Sequence, residues 1–130
     1  MIEGIINIGG FSARDLDGMD RWETFTPVFG SLTVVGATNY TGRLRIVGRS
    51  VMFQVRFSAA TSVASTAGTD YLNLPIAANP GGLAGFASMQ NSTTNVAAGN
   101  CAIDVTNSRA YLPAIAATPN VFRLFGMYEI

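Results

Sequence analysis

The fold of this chain is decided by the stretch Thr41-Gly-Arg-Leu-Arg-Ile-Val-Gly-Arg-Ser-Val-Met-Phe-Gln-Val-Arg-Phe57. On each side of the pair Gly48-Arg49, apolar residues occupy every second position. This is the side-chain period of a β-strand with one buried face. Two such runs joined by a short glycine-containing turn predict an antiparallel hairpin. In the first run Leu44 and Ile46 alternate with Arg43 and Arg45, and in the second run Val51, Phe53, Val55 and Phe57 form the expected buried face.

Shorter apolar runs lie on both sides of this hairpin and predict further strands. These strands are expected at residues 24–29, 32–35, 71–74, 85–89, 102–106, 109–112 and 120–130. The last strand is expected to pair inside a sheet, with one face formed by Phe122, Leu124, Tyr128 and Ile130. Small polar links are predicted at residues 58–69, 77–82 and 90–95. Many short strands with glycine and proline turns predict an all-β fold, an antiparallel β-sandwich or jelly roll.

The composition predicts one compact domain with a tendency to associate. The chain has 130 residues, of which 48% are hydrophobic and only 12% are charged, and its formal net charge is zero. A chain of this length usually forms one domain. So few charges give little electrostatic protection against self-association, which indicates an oligomer or a larger assembly. An equally good alternative is a surface kept soluble by serine, threonine, asparagine and glycine.

The first 22 residues differ from the rest and are predicted to be a docking arm in front of a β-sandwich domain at residues 23–130. The arm is expected to be extended, or to contain one short helix with Ser12 as N-cap and Gly18 as its end. An apolar free terminus is expected to dock on the chain's own body, a sister subunit or a partner in a particle. Its apolar contact residues would be Ile2, Ile5, Ile6, Ile8 and Phe11.

Charge is distributed unevenly along the chain. The first 23 residues carry five acidic residues against two arginines, and the remainder carries six arginines against three acidic residues. Asp15, Asp17 and Asp20 are spaced in a way that could suit a divalent cation, but they lack a calcium-loop sequence. Solvated charges on a turn or short helix are the preferred interpretation, so we expect no metal.

The residues needed for most enzymatic chemistry are missing. The sequence has no histidine, which excludes the usual Ser/His/Asp and Cys/His arrangements, and its one cysteine, Cys101, excludes an internal disulfide. Cys101 is predicted to be a small buried strand residue. Asp70 and Asp104 lie next to predicted strand ends, where aspartate commonly forms turns. We therefore expect no enzymatic activity and no cofactor.

Three arginines of the central hairpin are candidates for contacts with a neighbouring subunit. Arg43, Arg45 and Arg56 occupy the outward phase of their strands, and arginine is favoured at interfaces. A nucleic-acid partner is not expected, because such proteins normally carry a clear positive excess. Membrane insertion is not expected, since no apolar run approaches about 18 residues. The N-terminus lacks the basic region of a signal peptide, which favours synthesis in a cytoplasm.

The order of several motifs resembles small jelly-roll-like β-sandwich domains of tailed-bacteriophage virion structural proteins of the tail fibre, tail tip and capsid decoration type. The resemblance spans residues 22–130 and is strongest over 22–75. It rests on Trp22-Glu-Thr-Phe-Thr-Pro27, Leu32-Thr-Val-Val35, Tyr40-Thr-Gly-Arg-Leu-Arg-Ile-Val-Gly-Arg-Ser-Val-Met-Phe-Gln-Val-Arg56 and Leu74-Pro75.

This resemblance implies a domain that is commonly trimeric and displayed on tail fibres, baseplates or capsid surfaces. The chain begins only some 20 residues upstream, which favours a capsid decoration or head-spike protein or a small tail component. We expect a homotrimer in the virion, made in the host bacterial cytoplasm, with other virion proteins as partners. The alternative is a receptor- or glycan-binding tail module for host attachment, using Trp22, Tyr40, Tyr71 or Tyr111. The resemblance supplies no site residues, because the matching positions are fold residues.

Overall fold

The computed structural model describes residues 21–82 and 85–130, and the backbone of two short strands before them. All its regular structure is strand, with no helix among the described residues. The strands are β1 Asn7–Ile8, β2 Phe11–Ser12, β3 Glu23–Phe25, β4 Phe29–Gly30, β5 Thr33–Val35, β6 Thr38–Val47, β7 Ser50–Ala59, β8 Ser62–Ser65, β9 Tyr71–Asn73, β10 Phe86–Asn91, β11 Val96–Asp104, β12 Arg109–Tyr111, β13 Ile115–Thr118 and β14 Phe122–Glu129.

The strands form one large curled sheet and two small ones. The large sheet has nine strands in the order β3-β6-β7-β14-β10-β11-β12-β9-β4, and the small sheets are β13-β8-β5 and the pair β1-β2. Neighbouring strands are antiparallel throughout. The predicted all-β, antiparallel class is therefore confirmed.

The central hairpin forms as the sequence predicts. β6 and β7 pair over their full length, from Thr38 opposite Ala59 to Val47 opposite Ser50. Gly48 begins the two-residue turn with a φ of 61°. A side chain is strained at this left-handed φ, which explains glycine at the turn.

One core lies against the inner face of the large sheet. β7 buries every second residue from Val51 to Ala59 on this face, and the small three-stranded sheet adds Val63 and Ile115 to the same cluster. The opposite end of the large sheet curls round and adds Leu72 and Ala110. The largest fully buried side chains are Phe53, Phe57, Leu72, Leu112, Leu124, Val51 and Val63.

The last strand lies in the middle of the large sheet. β14 pairs with β7 on one side and with β10 on the other. The prediction that it is paired inside a sheet is confirmed, and Phe122, Leu124 and Tyr128 lie in the core. At Gly126 the sheet admits only glycine without rearrangement, because a Cβ there would lie 2.6 Å from the Phe53 ring.

The single strand predicted at 24–29 is two strands, β3 and β4, which lie at opposite edges of the large sheet. After residue 22, two further strands were not expected from the sequence. β8 lies inside the stretch 58–69, which was predicted to be a polar link, and β13 lies in a stretch with no prediction. β8 is built from small residues, so the apolar signal is weak, and it forms because it pairs with both β5 and β13. The buried hydroxyl of Ser65 donates to the Pro113 carbonyl at 2.5 Å. The link 90–95 is also shorter than predicted, since β10 continues to Asn91. β11 begins at Val96, six residues before the start of the strand predicted at 102–106.

Candidate functional site

The outer face of the large sheet forms an open trough. It spans β3, β6, β7, β14, β10 and β11 and has a volume of about 1010 Å³. We call it the arginine trough, after Arg43, Arg56 and Arg123. Its other side chains are mostly neutral and polar. They belong to Thr24, Thr41, Gln54, Ser88, Gln90, Ala97, Asn100 and Phe125.

The trough side chains come together through strand register. Each is in the outward phase of its strand, so the same period of two that builds the core also fills the outer face. One cross-strand row runs Thr24, Arg43, Gln54, Phe125, Ser88, Asn100. The next row runs Thr41, Arg56, Arg123, Gln90, Ala97. Directly opposed residues on one face have Cβ atoms about 5 Å apart, so each row is a line of touching side chains.

The second row places two positive charges directly opposite each other. Arg56 pairs in register with Arg123, and like charges in this position destabilise a sheet. Neither guanidinium has an ion pair or hydrogen bond to the described part of the chain. Arg43 is different, because its Nε donates to Gln54 Oε1 at 2.8 Å. The described lining contains no acidic residue, so the trough is suited to an anionic group.

An apolar row lies beside the trough on the same outer face. Met52 lies opposite Met127, and Met127 lies opposite Phe86. We call these three residues the methionine row. Phe86 is 54% exposed, and Phe125 continues the apolar surface into the trough. The outer face therefore combines methionine, phenylalanine and arginine, which are the residue types enriched at protein interfaces.

Trp22 lies at the rim of the trough. The guanidinium of Arg43 lies 4.8 Å from the centre of the indole ring and that of Arg45 lies 5.5 Å from it. Such stacking is worth about 0.5–1 kcal/mol at an exposed site. Trp22 is the single tryptophan of the chain, so its fluorescence reports on this rim alone.

The predicted contact residues are only partly brought together. Arg43 and Arg56 line the trough, while Arg45 lies one row away, opposite Met52. Arg123 was missed, although its position between buried Phe122 and Leu124 already puts it in the outward phase. The sequence does not contain the register that sets it against Arg56.

The predictions for the N-terminal arm fall mostly outside the described residues. Ile2, Ile5 and Ile6 lie outside them, as does the predicted helix after Ser12 up to Gly18. The backbone of Ile8 pairs with that of Phe11 in the short sheet β1-β2.

The aromatic residues considered for glycan binding lie in three different places. Trp22 is at the trough rim, and Tyr40 packs edge-on against Phe29 with ring centres 5.0 Å apart. Burial raises the pKa of Tyr40. Tyr71 and Tyr111 pack together at 5.7 Å on β9 and β12, and the Arg109 guanidinium lies 4.0 Å from the Tyr71 ring centre. These tyrosines are therefore not part of the trough.

Asp70 and Asp104, the two aspartates next to predicted strand ends, each close a turn. Asp70 is buried, and its Oδ2 accepts a hydrogen bond from the Thr66 backbone N–H at 2.8 Å. Asp104 accepts from the backbone N–H groups of Thr106 and Asn107 and from the Asn107 side chain, at 2.9–3.1 Å. The Asn107 side chain is the main cause of a lowered pKa at Asp104. Both carboxylates are thus occupied by local structure.

The single cysteine is buried in β11, as predicted. Cys101 is 6% exposed, and burial raises the pKa of its thiol to about 12. It is therefore a neutral core residue at physiological pH. Within residues 21–82 and 85–130, no cluster of three or more cysteine or acidic side chains could hold a metal ion. The described part of the chain also has no helix long and apolar enough to cross a membrane.

Comparisons of the chain with protein-family models, curated proteins and solved structures gave no match. The resemblance to tailed-phage virion proteins therefore stays a prediction from the motifs around the central hairpin.

Proposed function

We propose that this chain is a non-enzymatic structural protein of a tailed-bacteriophage particle. It is surface-displayed, as a capsid decoration, head-spike or small tail component, and it assembles as a homotrimer docked through its N-terminal arm. The observation that carries the proposal is the outer face of the large sheet, where the arginine trough and the partly exposed methionine row lie side by side. A surface of this composition is suited to binding and assembly.

The finer fold belongs to this proposal. The domain is a β-sandwich or jelly roll, with the curled large sheet as one wall and the sheet β13-β8-β5 as part of the other. In support, residues of both sheets contribute to one core, as expected of two packed layers.

A binding role rather than catalysis is supported by the side chains of the described residues. The trough offers guanidinium, amide and hydroxyl groups but no described general base. Asp70 and Asp104 are engaged in turns, and the sequence has no histidine. General acid–base catalysis needs a titratable group poised at the substrate.

Self-association is assigned to the methionine row. Its residues are apolar and face outward, and together with Arg45 and Phe125 they form the kind of mixed apolar and arginine surface found at interface centres. Low overall charge removes the electrostatic barrier to bringing copies together.

The test is the solution mass at two concentrations, measured by light scattering coupled to size exclusion. We expect a stable mass near three times 13.7 kDa for the natural chain and a lower mass for the double variant Met52→Ser with Met127→Ser. Val96→Ser is the matched control, because Val96 is an exposed apolar residue, 60% accessible, outside the row. A monomer at both concentrations for the natural chain would remove the trimer from the proposal.

Docking to the particle through residues 1–22 has its own test. The chain without residues 1–20 should no longer bind phage particles that lack this protein, while keeping its far-ultraviolet spectrum. Binding of the shortened chain to these particles would contradict docking through the N-terminal arm.

A second candidate function, receptor or glycan binding for host attachment, is favoured by the trough itself. Its arginines, amides and Phe125 are groups that hold acidic sugars, with carboxylates on guanidinium groups and a sugar face on an aromatic ring. A glycan array containing sialylated and uronic-acid glycans tests it, with Arg123→Gln as the variant that should lose binding. An array without signal at high protein concentration would reject this function.

A further inference from the structure

We propose that Arg56 and Arg123 together bind the phosphate group of a phosphorylated sugar, and that Phe125 packs against the sugar ring. This deepens the second candidate function, glycan binding at the arginine trough, and rests on it. The three side chains lie on the same outer face of two neighbouring strands, β7 and β14.

The two arginines carry charge that the described residues do not balance. They are exposed and directly opposed in register, and neither has an ion pair or hydrogen bond to the described part of the chain. Of the described carboxylates, Glu23 lies in the inward phase of β3, opposite Leu44. Glu129 is six residues from Arg123 along β14, which is about 20 Å in a strand, and the other two are held in turns. An anion at the arginine pair would therefore relieve a repulsion.

The number of donors distinguishes a phosphate group from a carboxylate. Each guanidinium can present a fork of two parallel N–H groups to an anion. A carboxylate has two oxygens, so one fork occupies it. A phosphate monoester has three terminal oxygens and a charge of about −1.5 to −2 at pH 7. Two opposed forks therefore match a phosphate monoester in both geometry and charge.

The neighbouring row of the trough fits a sugar. Phe125 lies two residues from Arg123 on the same face of β14, about 7 Å along the strand, so a phosphate and the ring that carries it can lie on neighbouring rows. Within its own row, Phe125 lies between Gln54 and Ser88. An aromatic ring flanked by an amide and a hydroxyl matches a sugar, which has an apolar face and a rim of hydroxyl groups.

A nucleic-acid strand has similar parts but fits the trough less well. The whole chain has zero net charge, and Phe125 is the one aromatic residue in the described lining of the trough. Sites for single-stranded nucleic acid combine a positively charged groove with aromatic platforms for successive bases. A phosphorylated sugar is therefore the favoured occupant.

The experiment is a nuclear magnetic resonance titration of the full, isotope-labelled chain with four compounds at matched ionic strength. They are glucose-6-phosphate, inorganic phosphate, glucuronate and thymidine monophosphate. We expect glucose-6-phosphate to shift the side-chain signals of Arg56 and Arg123. It should bind about tenfold more tightly than glucuronate, which engages one fork. It should also bind more tightly than inorganic phosphate, which lacks the ring.

Each compound can overturn one part of the proposal. Equal affinity for glucuronate would overturn the phosphate site. Equal affinity for inorganic phosphate would overturn the contact with the sugar. Tighter binding of thymidine monophosphate would assign the trough to nucleotides instead of sugars.

Variants of the full chain test the named side chains. Arg123→Gln should raise the dissociation constant of glucose-6-phosphate about tenfold, and Arg123→Lys should not restore it, because an ammonium group cannot form the fork. Phe125→Leu should weaken binding of glucose-6-phosphate and leave that of inorganic phosphate unchanged. Arg49→Gln is the matched control, since it removes an exposed arginine at the hairpin tip, outside the trough. Unchanged affinity in Arg123→Gln, or equal losses in Arg49→Gln, would overturn the site.

Two further comparisons separate this site from the functions proposed above. Binding of glucose-6-phosphate together with a blank glycan array would reject host attachment and keep the site. An array signal from uronic-acid glycans without binding of glucose-6-phosphate would keep attachment and overturn the site. The chain with Met52→Ser and Met127→Ser is titrated in parallel, because the methionine row lies next to Phe125 on β14. Loss of binding in that variant would place the site between copies and overturn a site within one chain.

Discussion

The two faces of the large sheet use the same strands for opposite purposes. Along β7, Val51, Phe53 and Val55 are buried in the core, while Met52 and Gln54 between them lie on the outer face. The inner positions are constrained by shape, because every side chain there contacts the rest of the core. The outer positions are free of this packing constraint, and our proposal assigns them to binding. A period of two lets one strand carry both kinds of position.

The largest expected effect comes from comparing two neighbouring residues of β7, Phe53 and Gln54. Phe53 is fully buried, so Phe53→Ala should lower the free energy of unfolding by about 3–5 kcal/mol through lost burial and a cavity. Gln54→Ala, one position away on the outer face, should change it by no more than about 0.5 kcal/mol. Urea unfolding measures both. Equal losses would mean that the outer face is also part of the folded core.

A smaller effect is expected at Gly126, where packing on the inner face leaves no room for a side chain. In Gly126→Ala the new methyl group would meet the Phe53 ring at 2.6 Å and the Ala87 Cβ at 2.8 Å. Overpacking of this kind costs about 1–3 kcal/mol. Ser88→Ala, a control substitution on the outer face, should be nearly neutral. An unaffected Gly126→Ala variant would show that Phe53 can move aside.

Tyr128 tests a polar contact made from the inner face. Its hydroxyl donates to the Ile76 carbonyl at 2.7 Å and accepts from the Ile76 N–H at 3.1 Å. Tyr128→Phe keeps the ring but leaves both backbone groups unpaired, which should cost about 1–3 kcal/mol in thermal or urea unfolding. A neutral result would mean that water replaces the hydroxyl.

Alkaline pH should gradually lower the free energy of unfolding through two groups on the inner face. Burial raises the pKa of Cys101 from 9.0 to about 12 and that of Tyr128 from 10.0 to about 12. The folded state therefore favours the neutral forms, and the unfolded chain ionises first. The free energy of unfolding should be constant below about pH 9 and fall as the pH rises toward about 12. Urea midpoints measured stepwise to about pH 11 would show this, and Cys101→Ala should flatten the slope. An unchanged slope in that variant would assign the pH dependence to other groups.

The sequence predicts the parts of this fold that carry a strong local signal. The hairpin 41–57 is predictable because bulky apolar residues alternate over its whole length, and the last strand for the same reason. β8 and β13 are not, since each is four residues long and has one larger apolar residue, Val63 or Ile115, among alanine, serine and threonine. Their strands are fixed by pairing partners that lie far away in sequence.

Only part of the candidate site can be predicted from the sequence. Arg43 and Arg56 could be assigned to the outer face from alternation alone. Arg123 follows the same rule, but its place opposite Arg56 depends on β14 inserting between β7 and β10. No local pattern encodes that insertion, so the trough as a unit emerges only from the tertiary register.

The central position of β14 also bears on how the chain is made. Synthesis from the N-terminus delivers β7 and β10 before the strand that joins them. Until residues 122–129 have left the ribosome, both strands present open hydrogen-bonding edges toward each other. Open edges are templates for pairing with another chain. On a crowded polysome, nascent copies can therefore exchange strands before they close, and slower initiation of translation should increase the yield of correctly folded protein.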